Sequence, residues 1–157
     1  MRSKGEQWTT GFFKISSPGE YFSEIHYLAS SGFCDIVGHL EYFKQWGHYE
    51  RTRYTRELTD LLQGIIDNGL ILEVNTAGLR HAASEPYPSY EILALYQSLG
   101  GTLISLGSDA HTVDQLAFAF PVVISQLKAL GFEGVVQMDK RKSSLIPFDS
   151  REANHIH

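Results

Sequence analysis

The chain has 157 residues, 43% hydrophobic and 20% charged, a balance that excludes a disordered or fibrous polypeptide and leaves room for one domain with a real core. A net charge of −5 without a dense basic tract gives no footprint for nucleic acid, so no nucleic-acid partner is expected. One cysteine, Cys34, allows no internal disulfide, and no apolar run approaches the ~20 residues of a membrane span, so no membrane partner is expected either.

The opening segment "MRSKGEQWTT" lacks the apolar stretch of a signal peptide, which makes the cytoplasm the default expectation. Ser17-Pro-Gly-Glu20 reads as a capping box with proline at the first helical position and predicts a helix to about Ser31. Cys34, among apolar neighbours, reads as a small core residue rather than a nucleophile. The run 34–40, "CDIVGHL", predicts the first strand. Leu58, Leu61, Leu62 and Ile65 form the stripe of a helix packed on one face. "LILEVN" (70–75) predicts the second strand. Ile92, Leu95, Tyr96 and Leu99 mark the next helix, and "TLISLGS" (102–108) the third strand. Thr112 and Gln115 are spaced as a second capping box over a short turn, 112–118. A long helix then starts near Phe120, with Pro121 in its first turn and Val123, Leu127 and Leu130 on its buried stripe. "GVVQMD" (134–139) predicts a fourth strand. The tail from 149 to 157 has no pattern and is expected to fray.

Each helix ends at a glycine before the next strand. Gly32, Gly69, Gly100 and Gly131 recur at spacings of 37, 31 and 31 residues. That suits βα units of ~30 residues, and near-continuous apolar strands suit parallel pairing buried on both faces. The expected class is α/β, with about four βα units.

The polar residues fall at strand ends. His39 ends the first strand, Glu73 and Asn75 the second; Asp109 and His111 follow the third, and Arg141 follows the fourth. In a parallel array those ends share one rim, where such sheets and barrels place ligands. Imidazole and carboxylate suit zinc, manganese or iron. Taken alone, Asp109 could equally cap the next turn with His111 solvated; His39 at a second strand end tilts the reading toward a metal set of His39, Asp109 and His111. Glu73 reads as a carboxylate that orients a ligand histidine. Arg80, in the loop after the second strand, suits a phosphate or carboxylate; Lys44 and Arg141 are weaker candidates for the same substrate role. His26, His48, His81, His155 and His157 read as inert or solvated, and Tyr42, Phe43 and Trp46 as packing of the rim or flanks for a ring-bearing substrate. No nucleophile elbow, Walker loop, dinucleotide fingerprint or paired CxxC is present. Metal-assisted hydrolysis of a phosphate ester is the sharpest chemical reading, with Asp109 and His111 as its catalytic pair.

"FCDIVGHLEYFKQWG", "LEVNTAGLR", "EPYPSYEILALYQSLGG", "SLGSDAH" and "KRKSSLIPF", in that order, resemble the polymerase-and-histidinol-phosphatase (PHP) metallophosphoesterases, and within them the histidinol phosphatase branch, over about residues 18–148. The resemblance implies a distorted, TIM-like (β/α)7 barrel. It also implies two or three Zn, Mn or Fe ions and hydrolysis of L-histidinol phosphate in histidine biosynthesis. By position it implies His39, Asp109 and His111 as metal ligands and Arg80 at the substrate phosphate. Where relatives commonly read "GHLD" this chain has Glu41. The HxH pair and further ligands with which the family begins are not found, so residues 1–148 are expected to be the C-terminal portion of such a domain. A partial barrel exposes strand edges, which calls for self-association or a covering partner, and three ligands are few for a bridged centre. The isolated chain is expected to bind metal weakly and hydrolyse little. Two rivals remain: a phosphoesterase for another metabolite or nucleotide, and a non-catalytic subunit or remnant that completes a barrel with a partner.

Overall fold

Three parallel strands carry the architecture. The computed structural model describes the backbone at 8–10 and 13–15 and residues 17–148; the tail expected to fray, 149–157, lies outside the described residues. A short antiparallel hairpin, β1 (Trp8–Thr10) and β2 (Phe13–Ile15), precedes helix α1 (Pro18–Ser30). Then follow β3 (Ile36–Val37), α2 (Thr55–Asp67), β4 (Ile71–Asn75), α3 (Tyr90–Ser98), β5 (Ile104–Gly107), α4 (Phe120–Ala129), β6 (Gly134–Asp139) and β7 (Lys142–Pro147). The sheet order is β3-β4-β5, all parallel, with Val37 opposite Leu72 and Asn75 opposite Gly107.

Local signals account for these elements. The Ser17 side chain accepts the Glu20 amide at the start of α1, with Pro18 in the first turn, so the expected cap forms. All four stripe residues of α2 are buried, and α2 packs on α1 against Phe22 and Ala29. Gly69, at φ 64°, turns the chain from α2 into β4 through a left-handed conformation that a side chain resists. Ile71, Leu72 and Val74 are all buried, as expected for a central parallel strand covered on both faces. Phe22, Phe43, Tyr49 and Tyr54 pack edge-on or tilted beside this core. Cys34 is only partly buried at the core margin.

Two expectations are corrected. The capping box over 112–118 does not form: Thr112 makes no side-chain cap, and Gln115 instead accepts the His111 amide at 2.9 Å. The fourth βα unit is not part of the parallel sheet. β6 has the predicted bounds but pairs antiparallel with β7, from Gly134 opposite Pro147 to Asp139 opposite Lys142. "KSSLIP" supplies the nearest β-forming partner two residues after β6, so a hairpin forms at once and no ladder joins β6 to β5. The described residues therefore make an α/β fold with a three-stranded parallel sheet, and no barrel closes. Among the described residues no helix is long and apolar enough to cross a membrane.

Candidate functional site

The parallel register sets the carboxyl ends of β3, β4 and β5 side by side, and Glu73 fills the space between them. Its carboxylate accepts the His39 amide at 3.2 Å and the Asn75 side-chain amide at 3.4 Å. Glycines at the neighbouring strand ends leave the Glu73 carboxylate its place. A Cβ on Gly107 would stand 2.3 Å from Glu73 Oε1, and one on Gly38 3.0 Å from Oε2. A carboxylate at mid-strand thus grips the backbone of the histidine that follows β3.

Asn75 ends β4 and accepts the Ala77 amide at 2.9 Å, which starts the 3-10 turn Thr76–Arg80. That turn carries Arg80 across to the β5 end. Arg80 Nη2 donates to the Asp109 carbonyl at 3.1 Å, its guanidinium lies over the Phe118 ring, and Nη1 is buried without a partner. His111 turns back on the same carbonyl through Nδ1 at 2.9 Å. A carbonyl can only accept, so Nδ1 carries a proton, and in the neutral ring the lone pair is the one on Nε2. Both His39 and His111 are exposed and Asp109 is half-buried. His39 (φ 59°), Glu41 (φ 67°) and Asp109 (φ 44°) all hold the left-handed conformation, which costs a non-glycine residue ~1–3 kcal/mol and clusters at functional sites.

The structure therefore draws Arg80, Asp109 and His111 together and ties His39 to Glu73. It does not assemble His39, Asp109 and His111 into a metal centre: among the described residues no three His, Cys, Asp or Glu side chains lie close enough to hold an ion. The donor types suit zinc, but their present arrangement among the described residues does not fit one.

Two residues expected as weaker substrate contacts, Lys44 and Arg141, have partners elsewhere in the fold. Lys44 Nζ is 7% exposed and committed to Glu41 Oε2 (3.0 Å), Glu85 Oε1 (2.8 Å) and the Pro86 carbonyl (3.4 Å). Arg141 sits in the β6–β7 turn and donates to Asp35 at 2.8 Å. Asp35 precedes β3 and its carbonyl accepts the amide of Ile71, the first residue of β4. Arg141 is thus at the amino edge of the sheet, opposite the rim, because β6 does not run with the parallel strands.

A buried ionic cluster beside the rim was not foreseen. Glu41, fully buried, receives Lys44, Arg51 Nε (3.0 Å), the Tyr49 hydroxyl and the Ser89 amide (2.7 Å). Burial pushes its carboxyl up, but Lys44, the Tyr49 and Ser89 hydrogen bonds and Arg51 together hold it below the ordinary carboxylate value. Burial and the Glu41 charge in turn push the Tyr49 and Tyr21 phenols upward. Arg51 also meets Glu85 at 3.1 Å and Glu91. The other residues of the cluster stand 3 to 50 positions from Glu41, a spread in which no sequence spacing betrays it.

Comparison with known proteins agrees with this architecture. No family model matches the chain. A probable histidinol-phosphatase of Deinococcus radiodurans is 31% identical over 113 residues, covering 71% of this chain and 42% of the relative. One of Thermotoga maritima is 32% identical over 98 residues, covering 62% and 41%. The chain spans less than half the length of the curated relatives it matches. The crystal structure of histidinol phosphate phosphatase from Lactococcus lactis, complexed with zinc, L-histidinol and phosphate, superposes with a TM-score of 0.63 at 22% identity, covering 82% of this chain and 52% of that one. The chain is a distant homologue of the histidinol phosphatases of the PHP family.

Proposed function

We propose that residues 1–148 are the C-terminal portion of a metal-dependent phosphoric monoester hydrolase that converts L-histidinol phosphate to histidinol and phosphate. Homology to histidinol phosphatases supports the reaction class. The observation that carries the reading is Arg80: one guanidinium nitrogen is pinned to the Asp109 carbonyl while Nη1 is buried and unpartnered, a donor left over for an anion. In this reading Arg80 holds phosphoryl oxygens and His111 presents Nε2 beside it, while His39, Asp109 and His111, which do not converge on an ion as they stand, would serve a Zn, Mn or Fe centre only once the rest of a barrel draws them together. Glu73 fixes the His39 backbone. The zinc, histidinol and phosphate of the Lactococcus lactis complex are consistent with this class of cofactor and substrate.

The donor set is too sparse for a bridged centre, so the chain alone hydrolyses little. The test is phosphate release from L-histidinol phosphate with added Zn or Mn, beside a full-length relative and a panel of other phosphate esters. Turnover equal to the relative's would refute the deficit; preference for a nucleotide would reassign the substrate. The open β3 edge, with Ile36 39% and Phe33 87% exposed, favours a second reading, a non-catalytic subunit completing a barrel with a partner. Size-exclusion chromatography showing an obligate hetero-assembly would support that reading.

A further inference from the structure

The ionic cluster around Glu41 takes no part in the proposed chemistry. Lys44 and Arg51 each bridge the same two carboxylates, Glu41 and Glu85, so four charges form a closed ring between the segment after β3 and the segment before α3. A surface ring would be loose, but Glu41 is fully buried and Lys44 nearly so. Taking such charges out of water costs about as much as their attraction returns, so stability alone is a poor account of the ring; a fixed geometry is a better one.

Two lines of contact lead from Glu41 to the candidate site. Along the chain, His39 lies two residues back, and its ring meets Tyr42 edge-on at 5.0 Å. Across space, Glu41 Oε2 accepts the Ser89 amide, and the segment from Glu85 to Ser89 is held at both ends, by the ring and by that amide. Between these ends Tyr87 exchanges both backbone hydrogen bonds with Asn75 at the end of β4. Its ring meets Tyr42 at 5.6 Å, and its hydroxyl meets His81 Nδ1 at 3.1 Å. His81 follows Arg80 directly.

We infer that Glu41 is a positioning residue: its buried carboxylate fastens the 85–89 segment to the His39 segment and so sets, through Tyr87 and His81, where Arg80 stands on the rim. The inference rests on the phosphate-site reading for one of its three readouts only. The full chain is compared with E41Q, which keeps the shape and removes the charge, and with E41D, which keeps the charge and shortens the reach. L62A serves as a control, since Leu62 is buried in α2 and its hydrocarbon side chain can make no ion pair or hydrogen bond with the ring.

In E41Q the Ser89 amide exchanges at least tenfold faster, the His81 ring resonances shift, and affinity for inorganic phosphate falls about tenfold. E41D recovers part of each, and L62A, despite a lower thermal midpoint, moves none. Identical patterns in E41Q and L62A, or unchanged Ser89 and His81 signals in E41Q, overturn the inference. If the unsubstituted chain binds no phosphate, the phosphate-site reading fails, and Glu41 is judged on Ser89 and His81. Should E41Q not fold, E85Q opens the same ring at its more exposed end and must shift His81 in the same direction, or the inference falls.

Discussion

Arg80 and His111 share one acceptor, the Asp109 carbonyl, at 3.1 and 2.9 Å. The two donors come from different strand ends, and a main-chain oxygen rather than a side chain holds them together. Their relative placement therefore depends on the backbone at Asp109, which is left-handed at φ 44°.

Replacing Arg80 tests the anion site. R80A removes the guanidinium from the Asp109 carbonyl and from the Phe118 face. A lost charge-assisted hydrogen bond of ~1.5–3 kcal/mol predicts at least a tenfold fall in affinity for inorganic phosphate. R80K keeps the charge without the planar fork and falls between R80A and the unsubstituted chain. Isothermal titration with phosphate decides.

Substituting Gly107 tests the packing of Glu73. In G107A the methyl group would meet the Glu73 carboxylate at 2.3 Å, so the carboxylate moves and releases the His39 amide. The expected loss is ~1–3 kcal/mol in urea unfolding. Since both changes act on one contact, G107A/E73A loses less than the sum of the single variants.

Removing Lys44 tests whether the buried cations hold the cluster. K44M leaves Glu41 buried with Arg51 as its only cation among the described residues and is expected to cost ~3 kcal/mol or more in urea unfolding. The Arg56–Asp60 pair, 3.7 Å apart with side chains 91% and 64% exposed, provides the contrast: R56A leaves the unfolding midpoint unchanged.

Alkaline pH tests Tyr96. Its hydroxyl is buried and donates to the Leu103 carbonyl; burial pushes the phenol up to about 12, and the hydrogen bond to Leu103 offsets only part of that rise. A folded-state value above the unfolded one means that the stability Tyr96 contributes is intact below about pH 10, the ordinary tyrosine value, and is lost as pH rises toward 12. Absorbance at an ultraviolet wavelength specific to phenolate, followed with pH, should show one late-ionising tyrosine fewer in Y96F. That variant should also lose less stability across the same interval.

The helices and the strands β4, β5 and β6 were legible because each rests on local periodicity, whereas β1, β2 and β7 were not read and the run 34–40 yields a strand only at Ile36–Val37. The α2 stripe of Leu58, Leu61, Leu62 and Ile65 and the apolar run of β4 needed no tertiary information. The fate of β6 was not legible, because an apolar run of strand length reads alike whether it joins a parallel sheet or folds back as a hairpin. Arg141 went to the wrong rim with it. In the site, His39, Glu73, Arg80, Asp109 and His111 could be placed at strand ends by counting. That the Asp109 carbonyl, not its carboxylate, would bind Arg80 and His111 could not, since backbone acceptors leave no mark in a side-chain pattern. Lys44 read as a weaker substrate candidate because its burial and its second carboxylate, Glu85, 41 residues away, arise only on folding.

β4 is paired on both sides and carries Glu73 between two neighbours that point away from it into the hydrophobic layers. Side chains alternate along a strand, so slippage by a single residue would drive Glu73 among leucines and turn Val74 toward the rim. The insertion or deletion of one amino acid within 71–75 would consequently abolish the candidate site in one step, while the same accident in the 82–84 loop, largely exposed, would be absorbed.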